Sequence, residues 1–161
     1  MSPTAPQPRL DPGALAPALF RKYLDFALAF TMDEGLAVLV DIRASQLNGC
    51  AFCLDMHVKQ ARIAGERELR LHHVAIWRES PLFSPLERAA LAWTESLTRL
   101  GTEGITDADY RQAREHFSEQ ELVELTFRVM AINGWNRLNI AFRATPGALD
   151  RLYGLDKAGL T

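Results

Sequence analysis

The sequence predicts an all-α single domain, and three observations carry that reading. Helix-start signals recur along the chain: Asp11-Pro12, Ser84-Pro85-Leu86-Glu87 and Ser118-Glu119-Gln120-Glu121 each set a capping residue before a helical turn. Apolar residues such as Leu122, Leu125, Val129, Ile132 and Trp135 fall at helical spacing. No stretch shows the alternation of a half-buried strand, and no internal repeat is present.

Taken in order, residues 1–10 hold three prolines and read as a flexible N-terminal arm, with the domain over 11–161. Asp11 caps a helix with Pro12 at its first position, running to about Thr31. A second helix is expected from about Asp33 to Gln46, ended by Asn48-Gly49. Cys50 opens a third, which runs to about Ala64 with Gly65 as its stop. A shorter helix covers about Arg67 to Trp77. The Ser84–Glu87 capping box launches the next, to about Leu100, and Thr106 to Asp109 caps a short one. The box at Ser118 begins the last, for a total of about six to eight helices.

Composition narrows the function classes. Hydrophobic residues make up 48% of the 161 residues and charged ones 24%, with a net charge of −2, close to soluble globular averages. Basic and acidic residues are interspersed, so no phosphate-binding stripe points to nucleic acid. The apolar stretch from Ala14 to Met32 is broken by Pro17, Arg21, Lys22 and Asp25 and does not read as a membrane span. The first dozen residues contain no apolar signal core, so the expected address is cytoplasmic. In a reducing compartment a close cysteine pair points to catalysis or metal binding rather than a structural staple.

That pair is Cys50 and Cys53, the only cysteines in the chain, with His57 one helical turn beyond the second. Positions i, i+3 and i+7 share one helix face. A thiol near its usual pKa of about 8.5 is mostly protonated at neutral pH, and the thiolate is the nucleophile. The helix N-terminus favours an anion at Cys50; the histidine favours proton removal from Cys53. These two devices select different sulfurs, so residue chemistry leaves the attacking one open. Either partner can resolve a sulfenic acid to a disulfide. Ordinary helix packing and a zinc site are the competing readings. A second ligand pair, which structural zinc usually brings, does not follow, and no metal is expected.

The runs RASQLNGCAFCLDMHVKQARIAGE, HHVAIWRESPLFSPLERAALAWTESLT and HFSEQELVELTFRVMAINGWNRLNIAFR together span most of the chain from Arg43 to Arg143. They resemble the alkylhydroperoxidase D branch of the carboxymuconolactone decarboxylase superfamily. The resemblance implies an all-helical fold assembled into trimers or hexamers, and dithiol peroxidase chemistry without haem, flavin or metal. It assigns peroxide attack to Cys53, resolution to Cys50, and a water-linked proton relay to His57. The implied substrate is a hydroperoxide, and the implied reductant is a dithiol carrier such as a lipoyl-bearing protein.

One departure from that pattern stands out. The family places a glutamate twelve residues before the first cysteine, where this chain has Val38. Valine can neither orient a histidine nor accept its proton. Glu34 and Asp41 flank the gap on the same face, each displaced by roughly 5 Å along the axis, and either is a possible relay carboxylate or a solvated charge. A non-catalytic redox-sensing or scaffold protein is the alternative function. The decarboxylase branch, which needs no cysteine pair, fits less well.

Phe52, between the cysteines, is placed to shield the thiols and wall an apolar substrate. Asn133 and Asn136 are unfavourable inside a helix and call for buried partners; Asn136 is expected near the site or at a subunit contact. His72 and His73 read as capping or packing residues, and His116 as a partner of a helix C-terminus. Trp77, Trp93, Leu86, Leu91 and Leu97 read as core or interface.

Overall fold

A computed structural model describes residues 7–160. The expected fold class holds: the described residues contain helices and turns and no strand. The helices are α1 (Pro12–Leu15), α2 (Pro17–Ala27), α3 (Glu34–Asn48), α4 (Ala51–Ile63), α5 (Glu68–His73), α6 (Pro85–Thr98), α7 (Asp107–Arg114), α8 (Glu119–Phe142) and α9 (Asp150–Tyr153), with 3₁₀ turns at Val74–Ile76 and Leu155–Ala158. None is long and apolar enough to cross a membrane.

Most boundaries follow local chemistry. Ser84, Thr106 and Ser118 each form a complete capping box at the helix they open. Asp33 caps α3 through the Leu36 N–H, and Gly49 ends it at φ 70°. Two expectations are corrected. The helix predicted from Pro12 to Thr31 is two, because Pro17 forces Ala16 out of the helical region, to φ −134° and ψ 57°. The helix predicted over 67–77 keeps α geometry only to His73 and tightens to a 3₁₀ turn. The N-terminal arm lies partly outside the described residues; within them, Arg9 donates to the Phe142 and Ala141 carbonyls at the end of α8.

Helix α3 is the hub, packed along α4, α6 and α8. One core lies on its N-terminal half, where Leu36 and Val40 meet Trp93 of α6 and Leu125 and Val129 of α8. A second gathers Leu39, Ile42, Ala61, Val74, Trp77 and Leu91, with Val38 and Ala92 packed at its edge, while Leu97 packs on the first core. Leu86 stays exposed. A third, small cluster of Ala44, Ile132 and the two cysteines sits where α3, α4 and α8 converge.

Two outer layers hold this frame in place. Helix α2 lies across α8 through Phe20, Tyr23 and Trp135, whose ring centroids are 5.3 and 4.7 Å from the tryptophan. Gly134 makes that approach possible, since a Cβ there would lie 1.9 Å from the Tyr23 hydroxyl. On the other side, the chain after α8 folds back over α4. The buried Lys59 ammonium bonds Asp55 at 2.8 Å and Asp150 at 2.7 Å, clamping that return.

Candidate active site

The turn between α3 and α4 places the cysteines. Gly49 adopts the left-handed conformation, and the Cys50 N–H donates to the Ser45 carbonyl at 3.0 Å. Cys50 thereby becomes the N-cap of α4, and its Sγ accepts the Cys53 N–H at 3.4 Å, as a serine hydroxyl would. The two sulfurs lie 2.9 Å apart, and both residues are buried.

This geometry separates the two thiols. The hydrogen bond from Cys53 holds the Cys50 thiol down to about 7, against the opposing effect of burial, with help from the Cys53 N–H and the Asn136 amide. Cys53 is pushed up, because its proton is shared with Cys50 and because burial and the Cys50 charge both oppose a second anion. The resting pair therefore carries its charge on Cys50, as the helix-dipole argument favours.

Helix α8 supplies an amide stripe beneath the pair, from Asn133, Asn136 and Asn139 at three-residue spacing. Asn139 Nδ2 donates to Cys53 Sγ at 3.4 Å. The fully buried Asn136 donates to Ser45 Oγ at 3.0 Å and accepts from Asn48 at 2.8 Å. Asn133 accepts from Asn48 at 3.0 Å and donates to Thr98 at 2.9 Å. The Asn136 amide also reaches the Cys50 sulfur, which places it beside the dithiol. Asn139 was missed, although its spacing from Asn136 was the available signal. Phe52 and Trp135 pack against the cysteine cluster.

Of the two flanking carboxylates, tertiary structure brings only Asp41 to the histidine. Asp41 is buried, its Oδ2 lies 3.5 Å from His57 Nδ1, and Arg128 grips it through both Nε and Nη2. Gln60 Oε1 also meets His57 Nδ1, at 2.8 Å. Glu34 stays exposed in the first turn of α3, with no hydrogen bond or ion pair from its side chain among the described residues. Val38 packs against the apolar cluster around Leu39 and Trp77. No hydrogen bond joins His57 to either sulfur among the described residues, so a proton passing between them needs an intervening water.

The remaining histidines stand apart. His72 is exposed beside Glu68, and His73 Nδ1 meets Ser80 Oγ at 3.0 Å. His116 is exposed just past α7.

Fold and site together define an all-helical protein with a buried, N-capped Cys-x-x-Cys pair backed by a His–Asp–Arg chain. The chain belongs to the carboxymuconolactone decarboxylase family, in its AhpD-like branch, and the family's model matches residues 17–96. It is 44% identical over 103 residues to the uncharacterized protein YdfG of Bacillus subtilis (strain 168), covering 64% of this chain and 70% of that one. It is 34% identical over 122 residues to the uncharacterized protein YnjA of Escherichia coli (strain K12), covering 75% of this chain and 66% of that one. Among solved structures, an Agrobacterium tumefaciens protein of unknown function, named for antioxidant defence and AhpD, superposes with a TM-score of 0.84. Its identity is 34%, over 88% of this chain and 99% of that chain.

Proposed function

We propose that this protein is a cofactor-free dithiol peroxidase that reduces hydroperoxides and is recycled by an external dithiol. The observation that carries the reading is the sulfur pair itself: two buried thiols 2.9 Å apart, one with a depressed pKa at a helix N-terminus. The family and its antioxidant-named structural relative support it.

The resemblance assigns attack to Cys53, and the neighbouring groups supply what that step needs. The Cys53 proton passes to the Cys50 sulfur or, through water, to His57. The Cys53 thiolate then attacks the outer peroxide oxygen, the O–O bond breaks, and the alkoxide takes a proton and leaves as alcohol. Cys53 is left as a sulfenic acid. The Cys50 sulfur displaces its oxygen as water and closes the disulfide. Two electrons have moved from the dithiol to the peroxide, and a dithiol reductant such as a lipoyl-bearing protein returns them by exchange. His57 holds and returns the proton, with Asp41 orienting its ring.

A homo-oligomer accompanies this reading. Leu19 of α2, Leu28 at its C-cap, and Phe127 and Met130 of α8 are exposed, an apolar surface suited to a second copy. A cytoplasmic location is part of the proposal.

One observation favours a second reading. Without a direct bond from His57 to sulfur, the pair would oxidise without fast recycling, as a redox sensor does. The test is free-thiol titration before and after one equivalent of cumene hydroperoxide, with Cys50→Ser and Cys53→Ser alongside, followed by turnover with reduced lipoamide. The peroxidase loses both thiols within seconds and turns over, and Cys53→Ser is inert. Loss of thiols without turnover establishes the sensor. Inertness of Cys50→Ser, with sulfenic acid trapped in Cys53→Ser, moves the attacking role to Cys50.

A further inference from the structure

A concavity whose lining excludes the cysteines and His57 is built by other elements. It is a cleft of about 450 Å³ between the turn after α5, the start of α6 and the end of α7. Trp77, Pro85 and Ala89 supply apolar wall, while Arg78, Arg88 and His116 bring nitrogen donors to its lining. None of these residues belongs to the cysteine cluster.

The charge balance around this cleft differs from the rest of the molecule. Buried and half-buried cations elsewhere meet carboxylates: Arg43 meets Glu95, Lys59 meets Asp55 and Asp150, Arg70 meets Glu66 and Glu87, and Arg128 meets Asp41. Arg114 likewise lies near Glu119. Arg88 is the exception among the described residues. It is half-buried, and its guanidinium donates to the Trp77, Ser80 and Arg78 carbonyls at 2.9, 3.1 and 3.0 Å, with no carboxylate within 4.0 Å. Carbonyl oxygens satisfy N–H groups but carry no net charge, so the cation stays uncompensated.

Arg78 adds to the imbalance. Its guanidinium carbon lies 4.2 Å from the Trp77 ring centroid and that of Arg88 lies 5.2 Å away, so one indole carries two cations. The carboxylate that answers Arg78 is Glu95, and Arg43 already engages it. Arg43 and Arg78 thus share one carboxylate, and Arg88 has none.

We propose that this cleft is a binding site for a small monocarboxylate with an apolar or aromatic body. The carboxylate neutralises the Arg88 charge and takes hydrogen bonds from free N–H groups of Arg78 and Arg88, for which the planar fork is suited. The apolar body rests on Trp77, Pro85 and Ala89. A monoanion matches the one half-buried arginine left without an acid partner among the described residues, which favours a carboxylate over a phosphate dianion.

The experiment is calorimetric titration of the full-length protein with benzoate, using benzamide as the uncharged isostere and inorganic phosphate as the competing anion. One saturable benzoate site per chain is expected, with benzamide and phosphate each weaker by about tenfold or more, the weight of one charge-assisted contact. Arg78→Gln and His116→Gln should each weaken benzoate several-fold while leaving the iodoacetamide reactivity of the cysteines unchanged. Arg88→Gln should weaken it most; because Arg88 also ties down the 77–80 turn, its folding is checked by thermal melting. Absence of saturable binding, as when a second copy covers the cleft, overturns the proposal. So does equal affinity for benzamide, tighter binding of phosphate, or benzoate affinity unmoved by Arg78→Gln and His116→Gln.

Discussion

Asp41 and His57 meet across the α3–α4 interface with 3.5 Å between Oδ2 and Nδ1, although the family pattern puts the carboxylate one turn away at position 38. Arg128 bonds both oxygens of the same carboxylate, Oδ1 through Nε and Oδ2 through Nη2, so its orientation is fixed. Under the proposed peroxidase reading, Asp41→Asn loses the ring-orienting anion and should lower kcat/KM for hydroperoxide by about 10–100-fold, the usual cost of losing a partner of this kind. The substitution also strands the Arg128 charge, so thermal melting is measured beside the rate. Glu34→Gln should change neither, since Glu34 lies exposed. A full rate in Asp41→Asn would remove Asp41 from the relay.

The depressed Cys50 thiol sets a pH dependence. Its thiolate forms as pH rises through about 7, so the rate of iodoacetamide alkylation should be half-maximal near that pH and fall below it. The largest cause is the hydrogen bond from Cys53, so Cys53→Ala should move the midpoint upward, toward the ordinary thiol range of about 8.5. Because the folded pKa is depressed, the thiolate also stabilises the folded state. That contribution is complete above the unfolded pKa and is lost as pH falls through about 7. A midpoint unchanged by Cys53→Ala would mean that the helix N-terminus alone holds the anion.

Asn139 donates to Cys53 Sγ, and its loss should be felt at that sulfur. In a Cys50→Ser background, Asn139→Leu should raise the pH midpoint for Cys53 alkylation and slow peroxide reaction by about fivefold, the equivalent of one hydrogen bond of about 1 kcal/mol. Thermal stability should change less than reactivity, since Asn139 is only half-buried. An unaltered pH profile would leave Asn139 with a packing role alone.

Gly134 makes room for the Tyr23 ring and its hydroxyl, which donates to the Ala131 carbonyl at 2.8 Å. An alanine Cβ would overlap both the hydroxyl and Cζ, at 1.9 and 2.7 Å, so the Tyr23 ring or α2 itself must shift. Gly134→Ala should therefore cost about 1–3 kcal/mol by overpacking, even though alanine is the better helix former. Adding Tyr23→Ala should recover part of that loss. A variant as stable as the parent would show that α2 shifts freely over α8.

The sequence by itself determined what is local. Capping boxes at Ser84, Thr106 and Ser118, the Gly49 stop, and the cysteine-to-histidine spacing all act within one or two turns, where hydrogen bonds and backbone preferences are set by near neighbours. The dipole argument for Cys50 was legible for the same reason. Pro17 was visible too, and its steric effect on Ala16 divides the helix expected from Pro12 to Thr31 into two. Tertiary structure alone decided between Glu34 and Asp41, which stand on one face of α3 and differ in whether His57 and Arg128 approach them. It alone brought Asn139 to a sulfur 86 residues away and left Arg88 without an acid partner. Those outcomes depend on how α3, α4, α6 and α8 cross, and a crossing is settled by whole faces packing at once rather than by any residue's neighbours in the chain.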